Sequence, residues 1–107
     1  MRAQQLKGHL GLLLLSVVAD QPAHGYAIVS ALRERSEGAF DLPEGTVYPA
    51  LHRLQELGLL SSDWAEVGGR RRRVYRITGA GATALATQRD EWRRFARSVG
   101  SVVGWTT

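Results

Sequence analysis

The segment GGRRRRVYRIT, residues 68–78, places four consecutive arginines between two glycines and a strand-like stretch. The planar guanidinium of arginine grips phosphate oxygens two at a time, and glycines permit a tight backbone reversal. One interpretation is a solvated run of like charges that repel one another. The other is a hairpin tip that neutralises phosphates and displaces the counterions condensed on nucleic acid. The elements around the run decide between them.

A second group of polar and aromatic side chains lies in EGTVYPALHRLQELGLL, residues 44–60. Apolar residues recur at helical spacing from Val47 to Leu54 and predict a buried stripe. Proline has no amide proton and is best tolerated in a first helical turn. The position of Pro49 therefore predicts a helix that begins near residue 45 or 46, with Thr46 as its N-cap.

Both groups supply candidate contacts for an anionic ligand. On the helix, the candidates that point away from the buried stripe are Thr46, Tyr48, Pro49, His52 and Arg53. On the hairpin they are Gly69, Arg70, Arg71 and Arg72, with Lys7 as a weaker phosphate candidate near the chain start. Arg53 would either read guanine through two hydrogen bonds or grip a phosphate, and the sequence leaves both open.

Three further helices and the two strands of a hairpin must position these side chains. Apolar periodicity predicts a helix over residues 3–19 and another over 24–36, with Tyr26 facing the core of the second. Strands are predicted over residues 60–66 and 72–77, joined by a GGRR loop. Thr78 is predicted to cap a last helix, entered through a Gly-Ala-Gly segment. The order predicts an α+β, mostly α, winged helix-turn-helix with three helices, a two-stranded wing and a C-terminal helix.

The last helix carries an apolar heptad pattern that the remaining core is too small to bury. Its positions, of which only Gln88 is polar, are Leu85, Gln88, Trp92, Phe95, Val99 and Val102. Such a pattern is typical of coiled-coil packing and predicts pairing with a second chain. We accordingly expect a DNA-binding domain over residues 1–78 and a dimerisation helix over 79–107, within one structural unit.

Composition narrows the function classes. With 107 residues the chain is one domain, and thirteen of its fourteen basic residues are arginine, which favours an anionic partner. No cysteine is present, which fits the cytosol and excludes thiolate metal sites. The three histidines lack ligand spacing, and no nucleophile–base set or phosphate-binding glycine loop is found. We predict a non-enzymatic protein without metal or cofactor.

The apolar run over residues 10–19 is too short to span a bilayer, so no membrane partner is predicted. With its basic start it resembles a signal peptide, which leaves a secreted basic protein as an alternative to a buried first helix. A third interpretation is a protein-interaction module that sequesters another regulator and does not bind DNA.

Several motifs together resemble the PadR-type transcriptional regulators. They are HGYAI at 24–28, EGTVYPALHRLQELGLL at 44–60 and GGRRRRVYRIT at 68–78, followed by GAG. The resemblance spans residues 6–92 and implies a cytoplasmic, nucleoid-associated homodimer that binds a near-palindromic operator, usually as a repressor. The single helix after the wing resembles that of the short-tailed members of the family.

The resemblance also implies roles for individual residues. Family members pair through their first and last helices, which here carry Leu10, Leu13, Leu14, Leu85, Trp92, Phe95, Val99 and Val102. Some relatives bind phenolic acids or flat aromatic drugs near the dimer interface, which implies that Trp92 stacks on a small aromatic effector. The competing interpretation for Trp92 and Phe95 is an ordinary dimer core.

Overall fold

The computed structural model describes residues 8–105 and contains the predicted order of helices and strands, with one added short strand. Its elements are α1 Leu10–Asp20, β1 Ala23–His24, α2 Gly25–Arg35, α3 Glu44–Glu56, β2 Leu60–Val67, β3 Arg70–Ile77 and α4 Gly79–Val103. The predicted α+β, mostly α, winged helix-turn-helix is confirmed. The proposed start of the first helix and the phosphate candidate Lys7 lie outside the described residues.

The core forms where α1, α2 and α3 meet the base of the sheet and the beginning of α4. Its fully or almost fully buried apolar residues are Leu14, Leu15, Val18, Ile28, Leu32, Val47, Leu51, Leu60 and Leu85. Burying each such side chain contributes about 1.5–3 kcal/mol. Within residues 8–105 no helix is both long and apolar enough to cross a membrane, and α1 is packed into this core instead.

Helix α3 begins at Glu44, one or two residues earlier than the sequence predicts. Pro43 occupies the N-cap position without a side-chain cap, and its carbonyl accepts hydrogen bonds from the amides of Thr46 and Val47 at 3.0 and 3.2 Å. The predicted Thr46 N-cap is therefore wrong, since Thr46 is the third helical residue. Pro49 lies inside the helix, on its exposed side, so the carbonyl of Gly45, four residues back, loses its amide partner at an exposed position.

The predicted core position of Tyr26 is also wrong. Its side chain is 56% exposed, whereas Ile28 and Leu32 of the same helix are buried. Because successive helical residues turn by about 100°, Tyr26 and Ile28 lie on opposite sides of α2. Tyr26 is consequently a surface residue in the first turn of that helix.

The wing is a tighter hairpin than the predicted GGRR loop. Only Gly68 and Gly69 form the turn, with φ of 60° and 78°, a backbone that favours glycine at both positions of a two-residue hairpin. Arg70 and Arg71 are therefore the first residues of β3 and not loop residues. Strand β1 pairs with the other edge of β3, giving the sheet order β1-β3-β2, which the sequence did not predict.

The start of α4 is fixed to the end of α3 by the residues around Thr78. As predicted, the Thr78 hydroxyl caps α4, accepting from the Gly81 amide at 3.0 Å, and it donates to the Gly58 carbonyl at 2.6 Å. A β-carbon at Gly81 would lie 2.0 Å from the Leu59 carbonyl oxygen. Gly81 is thus required by close packing against the backbone between α3 and β2, whereas Gly79 has open space around it.

Candidate nucleic-acid interface

An open groove of about 630 Å³ separates the exposed face of α3 from the wing. It is lined by His24, Gly25, Tyr26, Tyr48, Pro49, His52, Gln55, Trp64, Arg71, Arg72, Arg73 and Tyr75. All three tyrosines of the chain and two of its three histidines line it. The groove therefore joins the two candidate groups that the sequence singled out, the polar face of α3 and the arginine run.

Tyr48 is held in the groove by close contact with the start of α2. A β-carbon at Gly25 would lie 2.5 Å from Cε1 of the Tyr48 ring, so only glycine lets the ring rest there. Burial, followed by the nearby Glu44 carboxylate, raises the pKa of the Tyr48 hydroxyl above its usual value. The hydroxyl is consequently a neutral group that can both donate and accept hydrogen bonds.

The arginines of β3 are distributed around the wing and do not all face the groove. Arg71 and Arg73 place their guanidinium carbons 5.3 and 5.2 Å from the centre of the Trp64 ring, within the range of cation–π attraction. Arg72 bends back and donates from Nε to the Val67 carbonyl at 3.4 Å. Arg70 is exposed beside the turn and is not part of the groove lining.

A chain of hydrogen bonds connects α3 to the wing across the groove. The Ser62 hydroxyl donates to Oε1 of Gln55 at 2.5 Å and accepts from Nη1 of Arg73 at 2.9 Å. One end of this chain is on the helix and the other is on the arginine strand. The relative position of the two surfaces is thereby set by specific polar contacts.

The groove is electropositive. Among residues 8–105 no aspartate or glutamate lines it, and the ion pairs in that range use other arginines, namely Arg33, Arg35 and Arg94. Burial, followed by the positive charge of Arg72, lowers the pKa of His24. Because no ion pair within the described residues uses a wing arginine, the wing guanidiniums keep their charge available for an anionic ligand.

The predicted contact residues fall into two sets. Tyr48, Pro49 and His52 line the groove with Arg71 and Arg72. Thr46, Arg53, Gly69 and Arg70 are exposed but outside its lining.

Sequence reasoning missed six groove residues and left Arg73 out of its preferred contacts; the six are His24, Gly25, Tyr26, Gln55, Trp64 and Tyr75. For Gln55 a signal existed, because Tyr48, His52 and Gln55 follow helical spacing. For Trp64 and Arg73 the signal required the strand register, which pairs them directly.

A second exposed surface lies on the distal half of α4 and includes Trp105 just beyond its end. Its apolar side chains are Trp92, Phe95, Val99, Val102, Val103 and Trp105, each more than 40% exposed. Such an extended apolar surface is unusual for a monomer. Trp92 meets His9 edge-to-face with ring centres 5.0 Å apart and lies 5.9 Å from Phe95.

Two predicted dimer contacts are corrected by their burial. Leu14 and Leu85 are 0% and 4% exposed within a single chain, so they belong to its own core and have no surface to offer a partner. Leu10 and Leu13 are partly buried against that core and keep some accessible surface.

The protein has a three-helix unit with a β-wing, and an electropositive groove lies between the third helix and that wing. Together these features define a winged-helix transcriptional regulator. Residues 14–87 match the family described as "Transcriptional regulator PadR-like family". Because the match covers most of the chain, the chain belongs to the PadR-like family of transcriptional regulators, and the family resemblance noted in the sequence is confirmed. Members of this family bind DNA and are not enzymes.

Individual relatives agree with this assignment. The chain is 42% identical over 86 residues to "Transcriptional regulator Rv3488" of Mycobacterium tuberculosis, covering 80% of this chain and 78% of the relative. It is similar to a PadR family transcriptional regulator from Eggerthella lenta, with 32% identity, a TM-score of 0.81 and coverage of 94% and 86% of the two chains. A Clostridium thermocellum regulator gives a TM-score of 0.85 at 25% identity, covering 94% and 96%.

Proposed function

We propose that the protein is a homodimeric repressor that binds an inverted-repeat DNA operator through α3 and the wing. The observation that carries this proposal is the shared groove, in which the exposed face of α3 and the arginines of β3 border one electropositive surface. In winged-helix proteins the corresponding helix enters the major groove and the wing follows the backbone. A cytoplasmic, nucleoid-associated location follows from such a partner.

In this arrangement α3 reads bases and the wing binds phosphates. His52 and Arg53 are exposed polar residues of α3 whose side chains have donors suited to base edges in the major groove. Tyr48 and Pro49 offer apolar surface to sugars or a thymine methyl. Arg71, which has no ion-pair partner within residues 8–105, supplies a phosphate contact with a favourable counterion-release term.

Dimerisation supplies the second half-site. The apolar stripe from Trp92 to Val102 is exposed in a single chain, and a second copy of α4 would cover it by coiled-coil-like packing. Two α3 helices would then enter successive major grooves, with half-site centres about 34–36 Å apart. An operator with inverted repeats at that spacing follows from the two-fold symmetry.

An aromatic effector would act at the same surface. Trp92 and Phe95 border a groove of about 1020 Å³ that also contains Arg93 and Arg97. The pairing of aromatic rings with guanidiniums suits a flat aromatic molecule that carries a negative charge. We propose Trp92 as the stacking contact for such an effector, which would release the repressor from its operator.

Selection of bound duplexes from a random pool, followed by fluorescence anisotropy on the enriched duplex, tests DNA recognition. We expect an inverted repeat, and we expect Arg53→Ala to relax preference at one base pair. An equal loss of affinity on every duplex would make Arg53 a phosphate contact. Absence of duplex binding even at low salt would contradict the proposed function and favour a module that sequesters another regulator.

Light scattering after size exclusion tests the dimer. The wild-type protein should have twice the chain mass of 11.8 kDa, and Phe95→Glu should shift it to the monomer because it places a charge in the apolar stripe. Thr87→Glu, at an exposed position of α4 away from the stripe, is the matched control and should remain dimeric. A monomeric wild type, or a dimeric Phe95→Glu, would contradict the assignment of this surface.

A further inference from the structure

Resting on the proposed function, we propose that Ser62 and Trp64 are positioning residues that hold Arg73 in a DNA-binding pose and join the wing to α3 as one reading unit. Arg73 itself is then a phosphate contact that borders the bases read by α3. The inference concerns residues of β2, a strand that presents no run of basic residues. Its support lies in the register, the hydrogen bonds and the charges of the wing.

The register brings the three side chains to one face of the hairpin. Trp64 lies directly opposite Arg73, and Ser62 lies opposite Tyr75, two pairs along the strands and therefore on the same face. Directly opposed and diagonal side chains on one face of an antiparallel pair are in contact range. Arg73 therefore sits between an aromatic ring and a hydroxyl, both supplied by β2.

Each neighbour constrains a different part of the Arg73 side chain. The Trp64 ring has the guanidinium carbon 5.2 Å from its centre, which holds the charged group within the range of cation–π attraction. The Ser62 hydroxyl accepts from Nη1 at 2.9 Å while it donates to Gln55. Because the hydroxyl proton is committed to Gln55, a lone pair of the oxygen faces the guanidinium.

The constraint leaves the charge and most donors of Arg73 free. The guanidinium has five N–H donors, of which the Ser62 contact uses one. No carboxylate within residues 8–105 forms an ion pair with it. A flexible arginine loses rotamer freedom when it grips a phosphate, whereas an arginine already held in place loses less. Prearrangement of this kind raises affinity without a new contact.

The Gln55 end of this series of hydrogen bonds links Arg73 to the groove side of α3. Gln55 follows Tyr48 and His52 along the groove side of α3. A change in the orientation of α3 would therefore break the hydrogen bond to Ser62 and release Arg73. Base contacts by the helix and phosphate contact by the wing are coupled through one hydroxyl.

A double-variant cycle on DNA binding tests the coupling, with the enriched duplex and a mixed-sequence duplex as probes. Arg73→Ala should weaken binding about tenfold and reduce the log–log salt slope by about one unit. Ser62→Ala should weaken binding about threefold in the wild type and have no further effect in the Arg73→Ala background. Ser61→Ala, on the opposite face of β2 with an exposed side chain, is the control and should leave affinity unchanged. The proposal would be overturned if the losses of affinity caused by Ser62→Ala and Arg73→Ala add in the double variant, or if Ser62→Ala alone leaves affinity unchanged.

A measurement on the free protein separates this inference from the proposed function. The Nε–Hε signal of Arg73 in NMR relaxation should report a more ordered side chain than that of the exposed Arg70, and Ser62→Ala or Trp64→Leu should increase its mobility. Equal mobility in all variants would overturn the positioning role even if DNA is bound. A wild type that orders Arg73 but binds no duplex would instead contradict the proposed function.

Discussion

Substitution of Gly25 by alanine should impair DNA binding by displacing Tyr48 while leaving the fold intact. The new β-carbon would lie 2.5 Å from Cε1 of the Tyr48 ring, about 1 Å inside ordinary contact distance. Tyr48 is 40% exposed, so its ring can move away from α2 toward solvent. The relief of the clash therefore takes the ring out of its position in the groove.

The expected magnitude follows from this geometry. The group that must move is the ring at the end of the Tyr48 side chain, and no backbone atom has to shift. The free energy of unfolding should therefore change by less than about 1 kcal/mol. Affinity for the enriched duplex should fall about tenfold, or about 1.4 kcal/mol, the size of one lost base contact. The double variant Gly25→Ala with Tyr48→Ala should bind no more weakly than Tyr48→Ala alone.

The assays are anisotropy for binding and chemical denaturation for stability. Gly79→Ala is a matched control, since Gly79 is also the first residue of a helix and a β-carbon there meets nothing within 4 Å. It should leave both quantities unchanged. A Gly25→Ala protein with normal affinity, or one whose loss adds to that of Tyr48→Ala, would refute the role assigned to the Gly25–Tyr48 contact.

Two further predictions concern stability. Gly81→Ala should cost about 3 kcal/mol or more in unfolding free energy, because its β-carbon would meet the Leu59 carbonyl oxygen at 2.0 Å and backbone must shift; denaturation with unchanged stability would contradict this packing. The folded-state pKa of His24 lies below its ordinary value of 6.5 because of burial and then Arg72, so the unfolded chain binds more protons below pH 6.5. Stability should therefore fall as pH drops through that range, and thermal melts of His24→Gln should lose part of this dependence.

Much of the fold was predictable because most of its helices and strands are indicated by sequence signals within the element itself. The Val47–Leu54 stripe fixes α3, two adjacent glycines fix a hairpin, and Thr78 before a Gly-Ala-Gly segment fixes the start of α4. Each of these signals depends on residues within one or two helical turns. Their order along the chain was enough to predict the winged-helix architecture.

The errors arose where neighbours in space override local signals. Pro49 predicted a later helix start, but Pro43 is the N-cap and the helix begins at Glu44. The hydrogen bond that Pro49 cannot make lies on the exposed side of α3. Tyr26 was predicted to lie on the inward face of α2 together with Ile28, although helical geometry puts the two on opposite sides. The burial of Leu14 and Leu85 within one chain depends on how α1 and α4 pack together.

The groove could be predicted only in part because its wing half depends on register. Predicted strand ends at residues 66 and 72 would pair Trp64 with Val74, whereas the two-glycine turn pairs Trp64 with Arg73. A one-residue slip moves every side chain to the other face. The contacts among Trp64, Ser62 and Arg73 could therefore not be predicted before the turn residues were known.

The central claim is that α3 and the β3 arginines form a single surface for duplex DNA. Its most direct test is the salt dependence of duplex affinity for the wild type, Arg71→Ala and Arg97→Ala, where Arg97 is an exposed arginine of α4 far along the chain from the wing. We expect Arg71→Ala to weaken binding to every duplex and to reduce the log–log slope by about one unit, while Arg97→Ala retains the wild-type slope. An unchanged slope and affinity for Arg71→Ala would contradict the claim.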